Sequence, residues 1–346
     1  MKIVIDCRYI GKSGIGRVCE GILDNLDFQS NDYFLIGDPE KLKKYNAKII
    51  EDLTSPFSVK GLFSFDKSLN KQCDCMIIPN FIIPFGVKIP VLSIIHDLIF
   101  LDLKISTKGF VDYQIKKFLL KRCVKKSKFI DCVSNFTKER CLHYYPKYAN
   151  KFFVNYNGMN KSILGFNIDG IQKQNKIVYV GNVKPHKGLP TLIEAYKKLP
   201  QENRPTLKII GEKDNFLNGL STENLQTDGV EFTGRLSDQS LNQEIAEAKF
   251  LISPSLYEGL GLPPMEALYL GTKPIISDIG AHQEIYQKLD VTFFKTGDSE
   301  DLKDKIMQSS QEVKTTREEI LKTFDFKHTT DKIMSYVNLI VKGKNE

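Results

Sequence analysis

A chain of 346 residues, 41% hydrophobic and 26% charged, is too long for one ordinary core and too apolar for disorder, so two globular domains are expected. The net charge of +7 is uneven: residues 1–165 hold ten more basic than acidic side chains, whereas the remainder holds three more acidic than basic. That asymmetry points to a polyanion or an anionic membrane surface near the first half, with no nucleic acid among the expected partners. The opening MKIVIDCRYI lacks a signal-peptide layout. The longest apolar stretch, Met76 to Leu103, is broken by Pro79, Pro84, Pro90, Lys88 and Asp97, so no span is expected. All seven cysteines lie in the first half, and none forms a CxxC pair. A reduced, cytoplasmic protein with incidental thiols is the expectation.

In chain order, Lys2–Ile5 reads as a first strand. The glycine loop Gly11 to Arg17 follows, and then a helix from Ile15 to Leu26. Gly14-Ile15-Gly16 lacks the third glycine of a dinucleotide fingerprint, so the loop reads as a phosphate approach or a plain turn. Strands are predicted at Tyr33–Ile36, Cys75–Ile78 and Val91–Ile95, the last running into His96-Asp97. A polar pair just past a parallel strand sits where open α/β sheets bind ligands, although a loop-bonded histidine would look the same. Lys104 to Lys128 carries nine basic residues against Asp112 alone. Val111, Ile115, Phe118, Leu119 and Cys123 recur there at helical spacing. The stretch is either a solvated face over the core or a dock for anionic lipid headgroups. Phe129–Val133 reads as a strand, Ser134 as the cap of the next helix, and 160–176 as a linker.

A second βα series follows. Strands are predicted at Ile177–Val180, Leu207–Ile210, Val230–Phe232, Phe250–Ile252, Pro274–Ile276 and Val291–Phe294. Helices are predicted near 190–199, 239–248, 263–270, 282–288 and 299–312. This alternation specifies a parallel sheet with helices on both faces. The most informative stretch is Ser253 to Gly271, SPSLYEGLGLPPMEALYLG. Pro263 and Pro264 suit a first helical turn, and Gly271 suits its end. Gly259 and Gly261 let backbone approach a ligand, and Glu258 and Glu266 frame a turn suited to an anion and to sugar or ribose hydroxyls.

Tyr257-Glu258-Gly259-Leu260-Gly261-Leu262-Pro263-Pro264-Met265-Glu266-Ala267 resembles the signature of the retaining nucleotide-sugar transferases of glycosyltransferase family 4. The resemblance implies the GT-B fold: two doubly wound, parallel-sheet, Rossmann-like α/β domains facing across a cleft. The domains implied are 1–165 on the acceptor side and 170–329 on the donor side, with a last helix at 330–346 returning to the first. It implies transfer of a hexose from a nucleotide diphosphate sugar to a glycan or lipid-linked acceptor in polysaccharide biosynthesis. GDP-mannose is the first expectation and a UDP-sugar the second, with no metal and no cofactor. By the same resemblance, His96 orients the donor sugar and Glu258 takes its hydroxyls. Glu266 takes the ribose, while Lys187 and the Gly261 and Leu262 amides hold the diphosphate. Gly14, Gly16 and Gly259 line the donor site, and Arg17 and Asp97 the acceptor side. Where the family often has an arginine, this chain has Asn182, and Lys184 or Arg235 is the candidate replacement; Arg235 also falls where the family wraps the nucleobase. Membrane docking through Lys104–Lys128 would make the protein peripheral on the inner face. A glycoside hydrolase, a nicotinamide oxidoreductase and a non-catalytic sugar-nucleotide sensor are the rival readings.

Overall fold

The computed structural model describes residues 1–12, 14–105, 107, 109–211 and 227–343. Ser13 of the glycine loop, Lys108 of the basic stretch and 344–346 of the last helix lie outside the described residues. The chain divides into two compact units, one of Met1–Asp102, Thr107–Asn160 and Thr323–Glu346, the other of Leu103–Ser106 and Lys161–Lys322.

The first unit is built on seven parallel strands: β1 Lys2–Asp6, β2 Asp32–Gly37, β3 Lys48–Glu51, β4 Cys75–Ile78, β5 Val91–Ile95, β6 Phe129–Cys132 and β7 Phe152–Val154. Their order is β3-β2-β1-β4-β5-β6-β7, doubly wound with its reversal between β1 and β4. The central strands are apolar on both faces, so Val4, Met76 and Val91 on one face and Ile3, Ile77 and Leu92 on the other are shut from solvent. The edge strand β3 was not predicted. It has only two apolar residues, Ile49 and Ile50, both half-buried. All seven cysteines are buried thiols.

The second unit carries β8 Lys176–Val180, β9 Thr206–Ile210, β10 Val230–Gly234, β11 Phe250–Ser253, β12 Lys273–Ser277 and β13 Thr292–Phe294. All are parallel, in the order β10-β9-β8-β11-β12-β13, and the winding reverses between β8 and β11. Ile177, Phe250, Ile252, Ile275 and Phe294 join the helices around Leu192 and Leu302 in one core.

Two expectations are refined. The chain passes from the first unit to the second at Asn160–Lys161, the start of the segment 160–176 expected as a linker, but that segment packs on the second unit. It starts with the helix Lys161–Leu164, Ile163 is buried, and Lys173 Nζ donates to Ala246 O at 2.8 Å and Thr272 Oγ1 at 2.6 Å. The segment's polar residues are mostly exposed, and it is the spaced apolar Ile163 and the Lys173 ammonium that fasten it to the second unit. The helix of the basic stretch runs Phe110–Lys126, and its buried residues are Leu119, Leu120, Cys123 and Val124. Of the residues at helical spacing, Leu119 and Cys123 are buried, whereas Val111, Ile115 and Phe118 are 70%, 49% and 57% exposed, which departs from the reading of the whole stripe as a face over the core. The buried residues of that helix begin at Leu119, and in its first turns it is Tyr113 that packs, meeting the Phe100 ring edge to face at 6.4 Å.

The last helix, Phe326–Lys342, belongs to the first unit. Thr330 Oγ1 lies 3.5 Å from Ile22 O, Tyr336 stacks on Phe153, and a Cβ on Gly21 would run into the Phe326 ring. Asn155 Nδ2 ties this helix to the sheet by donating to both Asp131 Oδ2 and Thr329 O at 3.0 Å.

Candidate functional site

Open α/β sheets bind ligands beyond the carboxyl ends of their strands at the point where the winding reverses. In the second unit that point lies between β8 and β11, and the predicted residues stand on the loops after these two strands. The β8 loop runs Gly181 to Gly188, with a tight turn at Pro185–Lys187. The β11 loop runs from Pro254 into the helix Pro263–Tyr269, which begins on its two prolines as the sequence specified.

The two loops are stitched together. Leu256 N–H donates to His186 O at 2.7 Å. Gly188 has φ +66°, and a Cβ there would collide with the Pro254 carbonyl, so this position requires glycine twice over. The seam brings Lys187 Nζ to 2.6 Å from Glu258 Oε1, and Ser255 Oγ donates to the same oxygen at 2.6 Å. Burial pushes the Glu258 carboxyl up, but the Lys187 charge and hydrogen bond, the Ser255 hydroxyl and nearby His282 together hold it below its ordinary value. Glu258 is therefore a carboxylate. Burial and the Lys187 charge push His186 down to about 4, so the neighbour of Lys187 is neutral. The result is a half-buried cation–carboxylate pair beside a glycine turn.

That turn is shaped by Gly261, at φ +76°. The carboxylate end of β12 supports it from behind. Ser277 Oγ donates to Ser255 O at 2.5 Å, and Tyr286 OH donates to Gly261 O. Gly259 and Glu266 are buried and Leu262 half-buried; Glu266 is 4% exposed, in the first turn of its helix. Lys184 and Arg235 are both exposed, Arg235 directly after β10. Among the described residues, no group of three or more His, Cys, Asp or Glu side chains is placed to hold a metal ion.

The remaining predicted residues stand in the first unit, again at the carboxyl edge of its sheet. His96, after β5, has Nε2 2.8 Å from Pro79 O, and burial holds its pKa below the ordinary value. Asp97 Oδ1 accepts the Ile99 N–H at 3.1 Å, which caps the short helix Ile99–Asp102. Gly14 and Gly16 open the helix Gly14–Leu23. A Cβ on Gly16 would collide with Tyr9 O, whereas one on Gly14 would meet nothing within 4 Å. Gly16 thus has a packing reason to be glycine, and Gly14 has none. Arg17 is half-buried on the same helix. Arg8 is taken up by the fold: it pairs with Asp6 at 2.6 Å and Asp52 at 3.2 Å.

Sequence reasoning missed several residues of these edges. Ser255, Ser277, His282 and Tyr286 build the support of the glycine turn. In the first unit, Tyr9 OH and Asn80 Nδ2 are buried without a hydrogen-bond partner. The available signal was position: Tyr9, Asn80 and His282 follow β1, β4 and β12 on the ligand-binding edge.

Comparison with known proteins agrees with the fold. Residues 166–320 match the family described as Glycosyl transferases group 1. The chain is 31% identical over 179 residues to the O-antigen chain mannosyltransferase RfbU of Salmonella typhimurium, covering 51% of this chain and 50% of that one. It is 26% identical over 222 residues to O-antigen chain mannosyltransferase B of Escherichia coli, covering 60% and 58% respectively. The matched region thus spans only about half the length of these curated relatives. Among solved structures, Anabaena Alr3699/HepE in complex with UDP-glucose superimposes with a TM-score of 0.75 at 16% identity, covering 98% of this chain and 99% of that one. The seven- and six-stranded parallel sheets have the GT-B fold of the solved glycosyltransferases, and within this fold residues 166–320 match the model of the Glycosyl transferases group 1 family.

Proposed function

We propose that this chain is a retaining, metal-independent hexosyltransferase that moves mannose from GDP-mannose to a glycan or lipid-linked glycan acceptor in polysaccharide biosynthesis. The observation that carries the reading is the Lys187–Glu258 pair, 2.6 Å apart, at the winding reversal of a group 1 domain. Mannose is preferred because both relatives above are named as mannosyltransferases. Lys187 supplies a point charge to the diphosphate, helped by the Gly261 and Leu262 amides. Glu258, ionised, accepts hydroxyls of the donor sugar, and Glu266 accepts those of the ribose. His96 is assigned to orienting the donor sugar. The bond from the anomeric carbon to the phosphate oxygen breaks, the bond to the acceptor oxygen forms on the same face, and the acceptor proton passes to a phosphate oxygen of the departing nucleoside diphosphate.

The test is a panel of GDP- and UDP-sugars read by thermal shift and by nucleoside diphosphate release. A ligand at a hundredfold excess over its Kd adds about 2.7 kcal/mol of stability. GDP-mannose is expected to bind and turn over equally with and without EDTA. Glu266→Ala is expected to raise the donor KM about tenfold at nearly unchanged kcat, the mark of lost ground-state binding. If no nucleotide sugar binds or turns over, the proposal fails, and preference for a UDP-sugar removes its mannose part.

The acceptor is placed at an anionic lipid surface. Exposed Phe110, Val111, Ile115 and Phe118 share their helix with exposed Lys117, Lys121 and Lys125, pairing an apolar face with basic charge. Among the described residues, no helix is long and apolar enough to cross a membrane, so this face would rest on the bilayer. Co-sedimentation with phosphatidylcholine vesicles is expected only when phosphatidylglycerol is added, and to weaken with salt and in the double variant Phe110→Ser, Phe118→Ser. Equal binding to both vesicles, or to neither, contradicts this placement.

A further inference from the structure

We propose that His282 is a positioning residue of the donor site, setting the height of the glycine turn against Glu258; the inference rests on the donor reading above. His282 lies in the helix Gly280–Tyr286 that follows β12 and is fully buried. Its Nδ1 is 2.9 Å from Ser277 O. A carbonyl can only accept, so Nδ1 carries the proton and Nε2 carries the lone pair. Nε2 is buried and has no hydrogen-bond partner. Burial holds the ring's pKa below the ordinary value, which keeps this neutral tautomer.

The idle nitrogen faces the site. The place a Cβ would take on Gly261 is 3.1 Å from His282 Nε2 and 3.4 Å from Glu258 Cγ. Gly261 is thus wedged between the imidazole edge and the Glu258 stem, while Tyr286 OH holds its carbonyl. The His282 and Tyr286 rings meet edge to face at 5.8 Å, so one helix grips the turn at two points. A histidine that served only the core would gain nothing from a second nitrogen left unbonded, and an apolar ring of the same shape would avoid its desolvation. The polar edge is placed against the one backbone segment whose amides and neighbouring carboxylate must meet the donor together. None of His282, Ser277 or Tyr286 needs to touch the donor for this to work.

Asparagine and glutamine separate the two nitrogens. In His282→Asn the side-chain amide can still donate to Ser277 O, but nothing reaches the Nε2 position. In His282→Gln the amide reaches the Nε2 position. His282→Asn is expected to melt close to wild type while raising the donor KM about tenfold with kcat nearly unchanged, and His282→Gln to return KM to within about threefold of wild type. Loss of melting temperature in His282→Ala, with wild-type KM in His282→Asn, would show that the ring is only an anchor for Ser277 and overturn the proposal. The wild-type protein in the same assay separates the two readings. If it binds and turns over no nucleotide sugar, the donor reading has failed and this inference goes with it; if it does, the variants judge His282 alone.

Discussion

Lys187→Met is expected to lower kcat/KM for the nucleotide-sugar donor by about a hundredfold or more, in the range seen when a preorganised electrostatic group is removed. The reason is twofold. The diphosphate loses its point charge, and Glu258 loses the cation 2.6 Å from its Oε1. Glu258 is then a half-buried carboxyl whose largest influence, desolvation, is no longer opposed by its main partner. Its pKa rises, and the acid limb of the kcat/KM profile moves to higher pH. In the wild-type protein that limb lies below the ordinary carboxylate range, because the folded state favours the ionised form. The same linkage gives the sign for stability. A depressed carboxylate contributes fully above its unfolded pKa, and the contribution is lost as pH falls through the lower, folded value. Lys187→Met should remove that part of the acid dependence of melting. A double-mutant cycle with Glu258→Gln checks the pairing: the double variant should lose much less than the product of the two single losses. Independent, multiplicative losses would show that the contact does no shared task in the reaction.

Gly188→Ala is expected to cost about 3 kcal/mol, roughly 6–12 °C of melting temperature for a unit of this size. Part of this comes from φ +66°, and the rest from the Pro254 carbonyl that a Cβ would strike. Gly297 offers the control, with φ +79° and nothing within 4 Å of a Cβ. Gly297→Ala pays the backbone term alone, about 1 kcal/mol, and the difference measures the close approach of the two loops. Calorimetry on both variants decides it. Because Lys187 precedes Gly188, the first variant should also weaken donor binding, whereas the second should leave it unchanged. Equal losses of stability in both would mean that the loops part without cost.

The strand–loop–helix around Glu258 was legible because apolar runs, glycines and prolines punctuate it in the order the backbone uses them. Strands β8 to β13 were found for the same reason, each being a short apolar run between turn signals. β3 escaped because Lys48-Ile49-Ile50-Glu51 offers two half-buried apolar residues, and an edge strand needs no more. The helix Phe110–Lys126 shows another limit. Spacing finds a helix, but which side is covered depends on how far it overlaps the sheet. The support of the glycine turn was invisible for a third reason. Ser255, Ser277 and His282 meet because β11 and β12 are neighbours, and strand order is not written in the periodicity of any one segment. Knowing that ligands gather at carboxyl ends narrows the search to the right loops, but only the assembled sheet shows which nitrogen is left idle.

The return of Phe326–Lys342 to the first unit has a consequence for how the molecule is made. Thr330 meets Ile22 across 308 positions of chain, so the unit that begins at the first residue gains its final helix only after the other has been synthesised. Domains ordinarily complete themselves in the order in which they leave the ribosome. Here the order is inverted. Residues 161–322, nearly all of the second unit, can close on themselves first. Meanwhile the groove beside Gly21 and Phe153 waits, apolar and open, for a segment not yet translated. During that interval the groove's apolar surface is open to misassociation, and slow elongation after residue 322 would lengthen its exposure.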